Sequence, residues 1–182
     1  MKAHDMTWTR LVVVSLLGGA VGTVSLAACS PGTADQKSGA LAISFPSTSA
    51  AIATDTVEVR VFDGSVATND CLSLVQTEQK SQPLPKSLFD SGKTETCSYF
   101  QNQVKPFDMG YGSRAFLVVG QRAAATGATA TDFLIGCTVA GIGDVSNSVN
   151  VELAVFDLTT QVPASTKCSS LTDKCNKGIA CF

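Results

Sequence analysis

From Ala40 onward apolar and polar positions alternate with period two, the spacing at which successive side chains leave opposite faces of a strand. Leu41, Ile43 and Phe45 alternate with Ala42 and Ser44, and Pro46 closes this run as an edge strand. Val57, Val59 and Val61 alternate with Glu58 and Arg60, so Thr56 to Asp63 reads as a half-buried strand turned by Asp63-Gly64. Order returns at Phe107, where a turn at Gly110 and Gly112 leads into Arg114 to Gln121. That run is apolar on both faces, which marks a central strand covered on both sides. A loop of small residues, Ala123 to Thr131, precedes a strand with Phe133, Ile135, Cys137 and Val139 on one face. Gly141 to Asn147 turns again. Val149, Val151, Leu153 and Val155 then point one way, and Asn150 and Glu152 the other. The runs from Val57 to Asp63 and from Val151 to Asp157 match at five of seven positions, a similarity that the small vocabulary of period-two strands explains as well as duplication does. Six or more short strands with almost no helical periodicity predict an all-β domain over 40–157, an antiparallel β-sandwich.

One segment breaks the pattern. Ser65 to Gly112 reads as an irregular insertion, with Cys71 to Val75 either a short strand or the start of a helix. Pro83, Pro85 and Ser91-Gly92 interrupt whatever surrounds Leu84 to Phe89. A long irregular stretch in a small domain is usually functional or stapled, and Cys71 and Cys97 favour stapling.

Ahead of the domain, Lys2 and Arg10, offset in part by Asp5, accompany an uncharged apolar run from Leu11 to Ala28 that ends in small residues, the layout of an export signal. The run has 18 residues, the low end of the roughly 17–25 that span a bilayer, so an uncleaved anchor is one alternative. Gly18, Gly19 and Gly22 weaken it as a permanent helix. An ordinary secretory signal is the other, with Cys29 a free thiol or a disulfide partner. The tetrad Leu26-Ala27-Ala28-Cys29 resembles the bacterial lipoprotein signal, the lipobox. That resemblance implies a diacylglyceryl group on the Cys29 Sγ, cleavage between Ala28 and Cys29, and attachment to a membrane through the lipid. Ser30 is not the aspartate that retains enteric lipoproteins in the inner membrane, so the family rule implies the outer membrane of a Gram-negative cell envelope. Residues 29–39, from Cys29 to Gly39, are small and polar and read as a flexible tether.

The cysteines change the picture. Of seven, removing Cys29 leaves Cys71, Cys97, Cys137, Cys168, Cys175 and Cys181, an even set that can pair completely. Three of them lie in the tail, 158–182, and three cannot pair among themselves. Full pairing therefore requires at least one bridge from the tail to Cys71, Cys97 or Cys137, which folds the tail back onto the sandwich. Fifteen connectivities satisfy the count. In an oxidising envelope such thiols form disulfides rather than a zinc site, so no metal or cofactor is expected.

Charge and composition exclude more than they select. Losing the first 28 of 182 residues leaves 154, enough for one domain with a core. Lys2, Arg10 and Asp5 leave with the signal, and the formal net charge moves from −2 to −3. No basic stripe remains to displace counterions from phosphates, so nucleic acid is not an expected partner. His4 and Trp8 leave too. A chain without histidine carries no Ser-His-Asp or Cys-His arrangement.

The stretch from Gly110 to Leu153 resembles a domain of exported lipoproteins from myxobacteria and related bacteria. The likeness rests on the glycine turn, Phe116-Leu117-Val118-Val119, the pair Gly136-Cys137, and Val149-Asn150-Val151-Glu152-Leu153. It implies an immunoglobulin-like or transthyretin-like sandwich without an assigned activity, and a bridge between Cys71 and Cys137.

Two functional classes follow. The first is a non-enzymatic binding or structural module displayed in the cell envelope, recognising an envelope protein or glycan through Tyr99, Phe100, Phe107 and Tyr111. An exposed aromatic patch is its signature; the alternative is that these rings are the apolar underside of a loop. The second is an envelope hydrolase using carboxylates such as Asp63, Asp108, Asp144 and Asp157, or a Ser-Lys pair at Lys86-Ser87 or near Lys167. Its signature is a cleft where polar groups converge on a carboxyl or amine with a shifted pKa. Aspartate at turns is otherwise ordinary, because its side chain bonds nearby backbone amides. The sequence favours the non-enzymatic class.

Overall fold

The computed structural model describes residues 41–101, 110–123, 130–143, 148–177 and 181–182. In chain order these form β1 (Leu41–Ser44), α1 (Thr48–Ala53), β2 (Thr56–Asp63), α2 (Cys71–Gln79), β3 (Phe89–Glu95) and α3 (Thr96–Phe100). There follow β4 (Gly112–Arg122), β5 (Thr131–Ile142), β6 (Val149–Glu152), β7 (Ala154–Val155) and α4 (Leu171–Lys177). The signal, Cys29 and the tether, with Phe107, Asp108 and Asp144, lie outside the described residues.

The strongest alternating runs become the centre of a five-stranded antiparallel sheet ordered β3-β2-β4-β5-β7. One face carries Val57, Val59, Val61, Phe116, Val118 and Leu134, buried against Val149, Val151 and Leu153 and the α1 residues Ala50 and Ala53. The other carries Phe62, Ala115, Leu117, Val119 and Ile135, buried against Leu74 of α2. Strand β4 is thus covered on both sides. Each large side chain fully removed from water contributes about 1.5–3 kcal/mol before conformational entropy is set against it.

The protein is β-rich but neither all-β nor wholly antiparallel. Strands β1 and β6 form a separate parallel pair, with Leu41 opposite Val149. A parallel pair needs a long crossover, and here almost the whole larger sheet lies between the two strands in sequence. Helix α2 takes the second of the two readings open at Cys71, and α1 and α3 are helices that the alternating pattern does not show. Asp70 caps α2, its carboxylate accepting from the Ser73 amide at 3.0 Å, and this local bond favours helix at Cys71. Ser47 likewise caps α1. The described part of the 65–112 insertion therefore holds α2, β3 and α3. Ser91-Gly92 does not end a strand but makes a bulge inside β3, where Gly92 has φ +61° and the Ser91 hydroxyl accepts from the Val59 amide at 2.8 Å. A second register shift, where Gly120 pairs Leu134 but Gln121 pairs Asp132, puts both Phe133 and Leu134 in one core and takes Phe133 off the face of Ile135.

Three disulfides fasten this frame. Cys71–Cys137 ties the start of α2 to β5, Cys97–Cys175 ties α3 to α4, and Cys168–Cys181 closes a loop within the tail. The tail packs back onto the body: Cys168 and Cys181 bury against Ile52. The Lys174 ammonium donates to the carbonyls of Ile52 and Thr54 and to Asp55 Oδ1, at 2.8, 2.9 and 2.8 Å. Lys174 thereby satisfies carbonyls at the end of α1 that lack a partner within the helix.

Candidate functional site

Two concavities lie on the described surface. The first is a polar cleft of about 440 Å³ over the bulged edge of the sheet, lined by Arg60 from β2, Glu78 from α2, Asp90 from β3 and Asp132 from β5. Ser81, Gln82, Leu84, Pro85 and Ser87 complete its wall. Arg60 is its hub. The guanidinium contacts Glu58 Oε1 at 2.5 Å, Glu78 Oε2 at 3.1 Å and Asp90 Oδ2 at 3.5 Å. Asp132 accepts from Gln121 Nε2 at 2.8 Å.

Period two turns Glu58 and Arg60 away from the valine core, yet Glu58 is only 7% exposed. Its burial is tolerable because Arg60 pairs it. Burial acts to lower the Arg60 pKa, but Glu58, Glu78 and Asp90 outweigh it and hold it above the ordinary guanidinium value. The Glu78 carboxyl is pushed above the usual 4.5, first by burial, with Asp132 and Glu58 adding repulsion and Arg60 opposing. One arginine facing four carboxylates leaves the cleft anionic.

The second concavity is an apolar groove of about 240 Å³ between β1 and the short α3. Leu41, Ala42, Ile43 and Phe45 form one bank, Thr96, Tyr99 and Phe100 the other, with Val57 and Leu171 completing it. No charged side chain lines it. Thr96 is 2% exposed, and its buried hydroxyl has no hydrogen-bond partner among the described residues, a cost on the order of 1–3 kcal/mol. Burial raises the Tyr99 phenol to about 12.

The four aromatic candidates separate. Tyr99 and Phe100 share the groove, but the Tyr99 ring packs against the core while Phe100 is half exposed. Tyr111 is exposed and lies outside the groove lining; its carbonyl accepts from Arg114. Phe107 is outside the described residues.

The two candidate carboxylates among the described residues, Asp63 and Asp157, do turn chemistry. Asp63 accepts from the Ser65 hydroxyl and amide at 2.7 and 3.0 Å, and these bonds hold its pKa low. Asp157 does the same with Thr159 and Thr160. Ser87 lines the polar cleft and Lys86 does not. Lys167 reaches the Phe182 carbonyl at 3.5 Å. Sequence reasoning missed Glu78, Asp90 and Asp132, since three elements far apart in the chain bring them to Arg60. The only local signal is the Glu58 and Arg60 pair on an otherwise valine-rich strand.

Fold and bonding together define a class: a disulfide-fastened, β-rich domain suited to an oxidising, extracytoplasmic setting. No protein-family model, curated protein or solved structure matches the chain. Among the described residues no helix is long and apolar enough to cross a membrane, and no group of three or more His, Cys, Asp or Glu side chains is placed to hold a metal ion.

Proposed function

We propose that this is a lipid-anchored protein of the bacterial cell envelope with a non-enzymatic binding or structural role, held to the outer membrane through Cys29. One observation carries the anchor: the other six cysteines pair with one another, so Cys29 has no cysteine partner left within the chain. Lipid attachment through the lipobox-like Leu26-Ala27-Ala28-Cys29 then gives that sulfur its use. Two or three acyl chains make attachment stable without a membrane-binding face on the domain. The two layers, a five-stranded sheet under a two-stranded one with a shared apolar core, support reading the body as a reduced immunoglobulin-like or transthyretin-like sandwich.

The test is metabolic labelling with an alkyne fatty acid in a Gram-negative host. Labelled, processed protein in the outer-membrane fraction is expected, and Cys29→Ala should give unlabelled precursor. Labelling that survives Cys29→Ala would refute the anchor.

A second reading, hydrolysis by carboxylates, is favoured by the polar cleft, where a carboxyl with a raised pKa faces others. Arg60 salt-bridges Glu58, Glu78 and Asp90, which fits a structural network better than a reacting pair. Envelope glycan cleavage by the purified protein that disappears in Glu78→Gln, with the fold retained, would establish the enzyme and displace the non-enzymatic reading.

A further inference from the structure

The smaller sheet is incomplete on one side. Among the described residues strand β1 pairs only with β6. The Ser44 carbonyl accepts from the Leu153 amide at 2.8 Å, so Ser44 and, two residues back, Ala42 direct their backbone groups toward β6. Leu41 and Ile43 direct theirs to the opposite edge, where no strand among the described residues meets them. The apolar groove runs along that edge. Leu41, Ala42 and Ile43 all line it, although Ala42 and its neighbours put their side chains on opposite faces, so the backbone itself forms the bank. Val57 of the larger sheet, itself buried in the core, lies at the floor of the groove.

We infer that this edge and groove form a docking site for an extended polypeptide strand with apolar side chains at alternate positions, added to β1 by backbone pairing. Two observations select this occupant. The open edge offers amides and carbonyls at a two-residue interval, which an extended backbone matches and an acyl chain cannot. The groove carries no charge, so it accepts the apolar face of such a strand. The inference deepens the binding role proposed above, and it stands or falls apart from the lipid on Cys29.

Amide hydrogen exchange on the exported, oxidised protein tests it, with the peptide Lys-Thr-Val-Thr-Val-Thr-Val-Lys as probe at about 1 mM. The Ile43 amide should exchange about tenfold more slowly with peptide present, and a version with proline at alternate positions should have no effect. Phe100→Asp, at a half-exposed site where the fold tolerates charge, should abolish the slowing; Leu158→Asp, at a fully exposed site outside the groove, should retain it. Unchanged exchange at Leu41 and Ile43 overturns the inference. Slowing that appears without peptide and rises with protein concentration also overturns it, because a second copy then fills the edge. Equal slowing by decanoate overturns it in favour of an acyl-chain site. Fatty-acid labelling at Cys29 is read separately, so neither result decides the other.

Discussion

The two faces of the central sheet are held by different means. On one, β6 lies so close to β5 that a Cβ at Gly136 would run into the Glu152 carbonyl oxygen. On the other, the next residue, Cys137, bonds covalently to Cys71 at the start of α2. Adjacent residues in one strand therefore serve opposite layers, the first by having no side chain and the second by having a reactive one. The apolar face relies on close backbone approach; the α2 face relies on a covalent bond and the ionic cluster around Arg60.

Gly136→Ala should break this arrangement most severely. The new methyl group meets backbone, which cannot swing aside as a flexible side chain can, so β6 must separate from β5 and the core around Val149, Val151 and Leu153 opens. A loss of about 3 kcal/mol or more is expected from urea unfolding. A loss under about 1 kcal/mol would show that the layers are not in contact there. The double variant Cys71→Ala with Cys137→Ala should cost about 2–4 kcal/mol. It should speed amide exchange in α2 while leaving β1 and β6 protected; equal loosening of both faces would erase the distinction drawn here.

Much of this division is legible in the sequence. Val57, Val59 and Val61 set β2, the two-sided run at Leu117 to Val119 sets the central strand, and the six cysteines force the tail back onto the body. What escapes are features decided by single local bonds or by distant partners. The choice between strand and helix at Cys71 is settled by the Asp70 cap, and Ser91-Gly92 looks like a break because bulge and turn use the same residues. The parallel pairing of β1 with β6 has no signature in either strand, since a parallel and an antiparallel edge show the same alternation. Of the sites, Tyr99 and Phe100 were visible as aromatics, but the groove exists only once β1 is brought beside α3. The polar cleft needs four elements assembled and could not be read at all.

A smaller effect distinguishes the ionic face by pH. The Glu78 carboxyl is raised by burial, so its favourable contribution is complete below 4.5, the ordinary value, and is lost as pH rises through the higher folded-state value. Asp63 and Asp157 behave oppositely: their contribution is present above 3.8 and lost as pH falls through their lowered values. Acidifying from neutrality down to pH 4.5 should therefore strengthen the native protein relative to Glu78→Gln, as judged by urea midpoints. If the two midpoints move in parallel, burial of Glu78 does not govern this window.

The smallest effect is on the apolar face and is read at one group. The chain has two tyrosines, so Tyr111→Phe leaves Tyr99 as the sole phenol. Its pKa is pushed to about 12 by burial, because a phenolate in the core would surrender its hydration. The stability contributed by this neutral, buried phenol is complete below 10 and is lost as pH rises toward about 12. Absorbance titration of Tyr111→Phe should show one phenol ionising near the upper value, reversibly so while the sheet persists. Ionisation near 10 in the folded protein would mean that solvent reaches past the groove to the Tyr99 phenol, and that the core beneath β1 and α3 is not sealed.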